Sequence, residues 1–195
     1  MSLIVQKYGG SSLSDVSNIA NVAQRICKSK DKGFNLVVVV SAMGNSTDQL
    51  VELARSITDD PDPRELDALM ATGEIVSCSL LAITLKHLGY DTVSLTGYQV
   101  GVHTDVLYGN ARIHLIDQDR IRKELSNGRI VVIAGFQGVT DDLDTTTLGR
   151  GGSDTTAVAL AAVLNADRCE VYTDVDGIYT ADPRIVSGAR KIREI

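Results

Sequence analysis

Two short apolar runs constrain the fold of this 195-residue chain more than any other feature. Residues 35–41 read NLVVVVS and residues 129–135 read RIVVIAG, so neither run alternates between apolar and polar positions. Strands that are apolar on both faces are typical of the centre of a parallel sheet that helices cover on both sides. The sequence therefore predicts an α/β fold with a mostly parallel central sheet.

Length, composition and charge indicate one domain that acts on small molecules. A chain with 44% hydrophobic residues suits a single α/β domain over residues 1–195. The formal net charge of −6 opposes a non-specific nucleic-acid surface, which needs clustered lysine and arginine, so we expect no nucleic-acid partner. The apolar runs are too short to cross a bilayer and no signal-peptide pattern begins the chain. We therefore expect a soluble, cytoplasmic protein without a membrane partner.

The cysteines and histidines do not predict a metal site. Cys27, Cys78 and Cys169 lie too far apart for a CxxC pair, so we expect buried free thiols in a reducing compartment. The three histidines lack the spacing and the neighbouring ligands of a zinc set, which indicates structural or surface roles.

Segments of strand and helix character alternate along the chain. The predicted strands span residues 3–8, 35–41, 91–95, 100–106, 129–135 and 167–173. The predicted helices run from Asp15 to a stop at Gly33 and over 48–57, 65–88, 116–127 and 154–164, with a surface hairpin at 109–112. Glycine inside a helix costs about 1 kcal/mol relative to alanine, so Gly73 indicates either a break or a close ligand approach.

Residues 145–154, TTTLGRGGSD, have the character of an anion cradle. Gly149, Gly151 and Gly152 remove side chains that would keep a phosphate or carboxylate away from backbone N–H groups. Ser153 is expected to cap the helix that follows, whose N-terminus carries partial positive charge.

Further polar residues stand at the ends of other predicted strands, where ligands gather in open parallel sheets. Taken singly, a lysine there is also compatible with a solvated strand end, a glutamate with a helix surface, and an arginine with a turn. Together, a lysine and an arginine at glycine-lined strand ends predict a site for two anions. The clusters are Lys7 to Gly10, Ser41, Glu74, Arg150 to Asp154, and Thr173 and Asp174 with Tyr179 and Arg184.

Several common motifs are absent from the sequence. No Gly-Lys pair exists, which excludes a Walker A phosphate loop, and Asp154 replaces the third glycine of a dinucleotide fingerprint. The acidic residues at 174–177 do not continue as a calcium loop. No G-x-S-x-G elbow is present either, so a serine nucleophile is not predicted.

At the clusters described above, the sequence closely resembles the aspartokinases of the amino-acid kinase family. The motifs that carry the resemblance follow in the order and spacing of that family over essentially the whole chain. They are VQKYGGSSL (5–13), VVSAMG (39–44), ATGE (71–74), AGFQG (134–138), TTLGRGGSDTTA (146–157) and YTDVDGIYTADPR (172–184).

The resemblance implies a three-layer α/β/α sandwich that uses ATP and Mg²⁺ to phosphorylate the side-chain carboxylate of L-aspartate. The product would be 4-phospho-L-aspartate, which enters lysine, threonine and methionine synthesis. A carboxylate with a pKa near 4 is already an anionic nucleophile at neutral pH, so this chemistry needs no general base. The protein must instead hold two anions together, and Mg²⁺ would be held mainly by the ATP phosphates.

The resemblance also implies roles for individual residues. Glu74 would receive the ammonium of aspartate and Arg150 a carboxylate, while Lys7 would neutralise the transferring phosphoryl group and Asp154 would orient Lys7. Residues implied near the amino acid are Thr47, Gly151, Gly152 and Ser153. Residues implied near ATP are Tyr8, Gly9, Gly10, Ser41, Thr173, Asp174, Tyr179 and Arg184.

Aspartokinases continue past the position of Ile195, with the last part of the kinase domain and then paired ACT regulatory domains. We therefore expect a catalytic domain that is incomplete at its C-terminal end and has no ACT domain, and the family implies a homo-oligomer. One alternative is a non-catalytic fragment of such a kinase, with an incomplete nucleotide site and an exposed sheet edge. Acetylglutamate, glutamate, uridylate and carbamate kinases share the glycine turn, but TGE together with GRGGSD favours the aspartate kinases.

Overall fold

A sheet of five parallel strands forms the centre of the protein. The structure is a computed structural model that describes residues 2–173, 177, 179–181 and 185–192. Its strands are β1 (Leu3–Tyr8), β2 (Asn35–Val40), β3 (Thr92–Leu95), β4 (Val102–Thr104), β5 (Ile113–Ile116), β6 (Ile130–Ala134), β7 (Gln137–Val139), β8 (Thr145–Thr147) and β9 (Arg168–Tyr172). The central sheet has the order β3-β6-β2-β1-β9, and every pair in it is parallel.

Helices cover both faces of this sheet. They are α1 (Val16–Asp31), α2 (Ser46–Arg55), α3 (Pro63–His87), α4 (Asp119–Ser126) and α5 (Gly152–Leu164), and a short 3₁₀ helix (Gly10–Leu13) precedes α1. Apolar residues of α1 and α3 pack on one face, and those of α4 and α5 pack on the other. The protein is therefore the predicted three-layer α/β/α sandwich.

Successive side chains of β1 point to opposite faces of the sheet and therefore pack against different helices. Ile4 and Tyr8 belong to the core under α1 and α3, whereas Val5 belongs to the core under α5. Lys7 lies on the same side as Val5 because successive strand residues point to opposite faces. Tyr8 pairs with Val40, and Val40 with Ala134, so three strands end at one level and their loops meet there.

A second sheet, which the sequence analysis did not predict, lies beyond the ends of β3 and β6. Its order is β5-β4-β7-β8, and its strands have only three or four residues. The helix predicted from Ile116 begins only at Asp119, because Ile113–Ile116 pairs with β4 as β5. Strands this short contain too few residues for their periodicity to be distinguished from that of a loop.

Helix α3 is continuous through Gly73, so the glycine does not break it. A Cβ atom at this position would lie 2.9 Å from Ala42 Cβ, so the glycine allows the loop after β2 to approach the helix closely. From the sequence, no apolar run was expected to be long enough to cross a membrane, but α3 is long and apolar enough by length and composition alone. Half of the apolar window is buried inside the protein, as is usual for a core helix.

The cysteines differ in exposure. Cys27 and Cys78 are buried free thiols as predicted, but Cys169 is exposed. Cys169 lies on β9, which has a single neighbouring strand, β1, within the part of the chain that the structure describes.

Gly135, which directly follows β6, gives a test of how tightly α5 packs on the sheet. A Cβ atom there would lie 2.9 Å from Ser153 Cβ, Ser153 Oγ and Val39 Cγ1. We expect Gly135→Ala to lower the free energy of unfolding by about 1–3 kcal/mol, because overpacking a buried contact forces its neighbours apart. Urea denaturation measures the change. Gly188→Ala, at a position with open space around it, is the control, and equal stability of the two variants would contradict this packing.

Candidate active site

The ends of β1, β2 and β6 and the start of α5 surround a cavity of about 300 Å³. Helix α3 supplies one wall through Glu74. The predicted anion cradle therefore borders the same space as Lys7, Gly10, Ser41 and Glu74 of the other predicted clusters. The lining residues are Lys7, Gly10, Ser41, Ala42, Gly44, Thr47, Glu74, Phe136, Gly149, Arg150, Gly151, Gly152, Ser153 and Asp154.

Lys7 is the buried cation of this cavity. Its side chain leaves β1 toward α5, and only 8% of the residue is exposed. Lys7 Nζ lies 2.9 Å from Asp154 Oδ1 in the first turn of α5. The contact is an ion pair without hydrogen-bond alignment, since the buried Oδ1 atom accepts no hydrogen bond within the described residues. A buried ammonium group is costly without such a partner.

The glycine turn after β1 meets the loop after β2 at very short range. Gly10 O accepts a hydrogen bond of 3.0 Å from Gly44 N. A Cβ atom on Gly10 would lie 2.8 Å from Ala42 O, so no larger residue fits. Gly9 lies beside the lysine, because a Cβ atom there would be 3.5 Å from Lys7 Nζ. The turn thus brings backbone close to the ammonium group.

Glu74 places a buried carboxylate on the opposite wall. The residue is 3% exposed, and its Oε1 atom accepts a hydrogen bond of 3.0 Å from Ala42 N. Its Oε2 atom is buried and has no hydrogen-bond partner in the described part of the chain. Burial raises the pKa of Glu74 to about 7, and the Ala42 N–H bond opposes that rise. An unsatisfied buried carboxylate oxygen is suited to a cationic ligand.

The cradle has the predicted glycine conformations but a different helix cap. Gly149 and Gly151 have φ values of 74° and 76°, in the left-handed region that favours glycine. Gly151 is the N-cap residue, so Ser153 lies inside the helix and does not cap it. The amides of Gly152 and Asp154 donate to Gly149 O and Gly151 O, which leaves fewer free N–H groups than predicted. Arg150 is exposed at the rim.

Tyr8 and Thr173 are not brought to this cavity. They line a separate space of about 310 Å³ on the α1 side of the sheet. Tyr8 is 1% exposed and stacks on Tyr172, with ring centroids 4.7 Å apart. Its side chain cannot share a face with Lys7, because adjacent strand residues point in opposite directions.

Other residues predicted near ATP fall in the C-terminal part of the chain. Tyr179 forms an antiparallel bridge with Lys191 and is not among the residues that line the cavity. Asp174 and Arg184 lie outside the described residues, and so do the acidic positions that resembled a calcium loop.

Sequence reasoning missed several lining residues. Phe136 has a φ of 68°, which is unusual for a residue other than glycine, and its ring closes on Gly152. Ala42 and Gly44 contribute backbone, a role that no side-chain pattern marks. The only available signal was that all three lie inside motifs that carried the family resemblance.

The described residues contain no group of three histidine, cysteine, aspartate or glutamate side chains arranged to hold a metal ion. The carboxylates that line the cavity are Glu74 and Asp154, and the second is already paired with Lys7.

Comparisons with known proteins agree with this architecture. The sequence profile of the amino acid kinase family matches residues 2–195. The chain is 57% identical to Aspartokinase 2 of Bacillus subtilis and 56% identical to the aspartokinase of Geobacillus stearothermophilus, in both cases over all 195 residues. The chain spans about half the length of these relatives, 48% of each.

Two solved structures have the same fold. The aspartate kinase from Synechocystis superposes with a TM-score of 0.83 at 51% identity, over 97% of this chain and 31% of that one. Aspartokinase III of E. coli, solved in complex with aspartate and ADP, superposes with a TM-score of 0.84 at 27% identity, over 98% of this chain and 53% of that one.

The raised pKa of Glu74 predicts a pH-dependent loss of stability. Between its ordinary value of 4.5 and about 7 the folded protein keeps a proton that the unfolded chain has released. The stability of the folded state therefore falls as pH rises through this window. Glu74→Gln removes the effect, so we expect it to gain up to roughly 3 kcal/mol over the unsubstituted protein between pH 5 and 7.5.

Urea denaturation at several pH values measures this difference. The same substitution at Glu52, which is exposed on α2, controls for the loss of one negative charge. If the free energies of unfolding of Glu74→Gln and the unsubstituted protein change equally with pH over this range, Glu74 does not titrate as described.

Proposed function

The chain belongs to the amino acid kinase family, and we propose that it forms the catalytic part of an aspartate kinase. The proposed reaction transfers the γ-phosphoryl group of ATP to the side-chain carboxylate of L-aspartate. The product is 4-phospho-L-aspartate, which enters the synthesis of lysine, threonine and methionine. The aspartokinase relatives at 56–57% identity support this assignment over other kinases of the family.

One observation carries the proposal: a single cavity contains two cationic side chains, Lys7 paired with Asp154 and the exposed Arg150, and a buried carboxylate, Glu74, that has an oxygen without a partner in the described residues. L-Aspartate carries one ammonium and two carboxylates, so the charges are complementary. We assign the ammonium to Glu74 Oε2 and a substrate carboxylate to Arg150, with Thr47, Gly151, Gly152 and Ser153 around the bound amino acid. Binding of the ammonium would keep Glu74 ionised at neutral pH, because a nearby cation lowers the pKa of a carboxylate.

The chemical step follows from this charge arrangement. A side-chain carboxylate oxygen forms a bond to the γ-phosphorus while the bond from that phosphorus to the β–γ bridging oxygen breaks and ADP leaves. The nucleophile is already an anion, so no side chain has to remove a proton. Lys7, together with the backbone near Gly9 and Gly10, stabilises the charge on the transferring group, which is the dominant contribution in such reactions.

Asp154 positions Lys7 in this scheme. Its side chain is about half exposed while that of Lys7 is 10% exposed, so the pair spans the cavity wall from the core to the opening. An acidic residue in the first turn of α5 is also favoured by the helix dipole. Asp154 can therefore hold the ammonium group of Lys7 in place without destabilising the helix.

ATP would enter from the side of Ser41 and the glycine turn. When bound, Mg²⁺ would neutralise phosphate charge, and the lack of a three-ligand group among the described residues fits an ion held mainly by phosphate oxygens. Contacts of Asp174, Tyr179 and Arg184 with the nucleotide stay predictions. Tyr8 and Thr173 line the space on the α1 side of the sheet. They would contact ATP only through their backbone, or if the base of the nucleotide extends to that side.

We also infer a cytoplasmic location, which suits three cysteines that are all free. Assembly into a homo-oligomer stays a prediction.

A hydroxamate assay tests the proposed reaction, because hydroxylamine traps an acyl phosphate. With L-aspartate, ATP and Mg²⁺ we expect aspartyl hydroxamate to form, and Lys7→Met to reduce its rate on the order of 100-fold or more. Lys28→Met, an exposed lysine on α1, is the matched control. If the Bacillus subtilis relative forms the product and this chain does not, the chain is the non-catalytic fragment.

Steady-state kinetics test the assignment of Glu74 to the amino acid. We expect Glu74→Gln to raise the KM for L-aspartate about tenfold or more, since a hydrogen bond to a charged group contributes about 1.5–3 kcal/mol. The KM for ATP should change less than twofold. The opposite pattern would mean that Glu74 contacts the nucleotide.

A further inference from the structure

A second buried carboxylate lies just outside the cavity. Asp67, in the second turn of α3, is 1% exposed. Its oxygens accept hydrogen bonds from Thr147 N at 2.7 Å and Thr147 Oγ1 at 2.8 Å. They also accept a shared bond from Gly109 N, at 2.9 and 3.0 Å. One side chain thus joins α3 to β8 and to the loop between β4 and β5.

These partners are all neutral, and no lysine or arginine of the described residues forms an ion pair with Asp67. A buried carboxylate oxygen without a hydrogen bond costs free energy, so the bonds to both oxygens of Asp67 stabilise it in the core. Each donor is therefore held firmly, because displacing it would leave a buried charge unsatisfied.

One donor residue, Thr147, lies within the cradle, and the other, Gly109, lies against it. Thr147 is three residues before Arg150. Ala111 N donates to Thr147 O at 2.9 Å, and a Cβ atom on Gly149 would lie 2.8 Å from Asn110 Oδ1. The loop that Asp67 binds through Gly109 therefore supports Gly149 from outside the cavity.

Asp67 and Glu74 also share one face of α3. They are seven residues apart, or two helical turns, which corresponds to about 10 Å along the axis. Glu74, at one end of this face, lines the cavity, and Asp67, at the other end, binds Thr147 in the strand that leads to Arg150. Helix α3 thus links Glu74 to Arg150, to which we assign the ammonium and a carboxylate of the amino acid.

We propose that Asp67 is a positioning residue that sets the separation between Arg150 and Glu74 and thereby the length of the acidic amino acid that fits. The inference rests on the proposed function. Asp67 does not line the cavity, and its hydrogen bonds reach only Thr147 and Gly109, which lie next to the wall formed by Gly149 and Arg150. It therefore acts on the amino acid and leaves the nucleotide end unaffected.

Calorimetric titration of the whole chain tests this role. Asparagine keeps the shape of Asp67 but turns one acceptor into an NH₂ donor that faces backbone N–H groups. We expect Asp67→Asn to weaken L-aspartate binding at least tenfold and L-glutamate binding less, with ATP affinity changed under twofold. Arg150→Ala should weaken L-aspartate binding much less in the Asp67→Asn background than in the unsubstituted chain, because the two residues act together.

Glu124→Gln is the matched control. Glu124 is also buried, at 3% exposure, but is paired with Arg120 of α4 and with Arg129, which directly precedes β6. This variant should lose thermal stability without a change in L-aspartate affinity. If Asp67→Asn does not fold, Thr147→Val removes only the hydroxyl bond and should weaken L-aspartate binding about threefold.

The outcomes separate the two proposals. Unchanged L-aspartate affinity in folded Asp67→Asn and Thr147→Val, or additive effects with Arg150→Ala, would overturn the positioning role and leave the proposed function intact. Failure of the unsubstituted chain to bind L-aspartate would overturn the proposed function itself.

Discussion

The site depends on the ion pair between Lys7 and Asp154. The 2.9 Å contact joins the strand with the glycine turn to the helix that begins at the cradle. An ammonium group this deeply buried would cost several kcal/mol without a counter-charge. The pair therefore keeps a cation where the ends of three strands meet, and it couples the position of α5 to that of β1.

Helix α3 carries the other half of the charge arrangement. Its two buried carboxylates differ in how completely they are bonded. Both oxygens of Asp67 accept hydrogen bonds, from Gly109 N and from the backbone and side chain of Thr147. Glu74 has one oxygen bonded to Ala42 N and one without a partner in the described residues. A carboxylate whose oxygens are both hydrogen-bonded suits a structural role, whereas one with an unbonded oxygen suits ligand binding.

Most of the central sheet was predictable because its signals are local. The runs that became β2 and β6 matched their observed bounds to within a residue, since strands buried on both faces must be continuously apolar. Glycines and charged residues at strand ends are unusual, so the sequence marked most of the residues that line the cavity. Tyr8 lies on the other side of the sheet from Lys7, as strand alternation requires, and its nucleotide role stays a prediction. Ser153 was predicted to cap α5, but Gly151 occupies that position.

The sequence by itself determined the layers, the order of strands and helices, and the residue types that surround the cavity. Burial and glycine conformation can be inferred from the local sequence, without knowing which residues come into contact. Only the tertiary structure decided the second sheet, the left-handed Phe136 and the contacts of Asp67. The contacts of Asp67 join residues 42 and 80 positions apart, and β4 pairs with β7 from His103 to Val139. Contacts at such separations leave no periodicity along the chain.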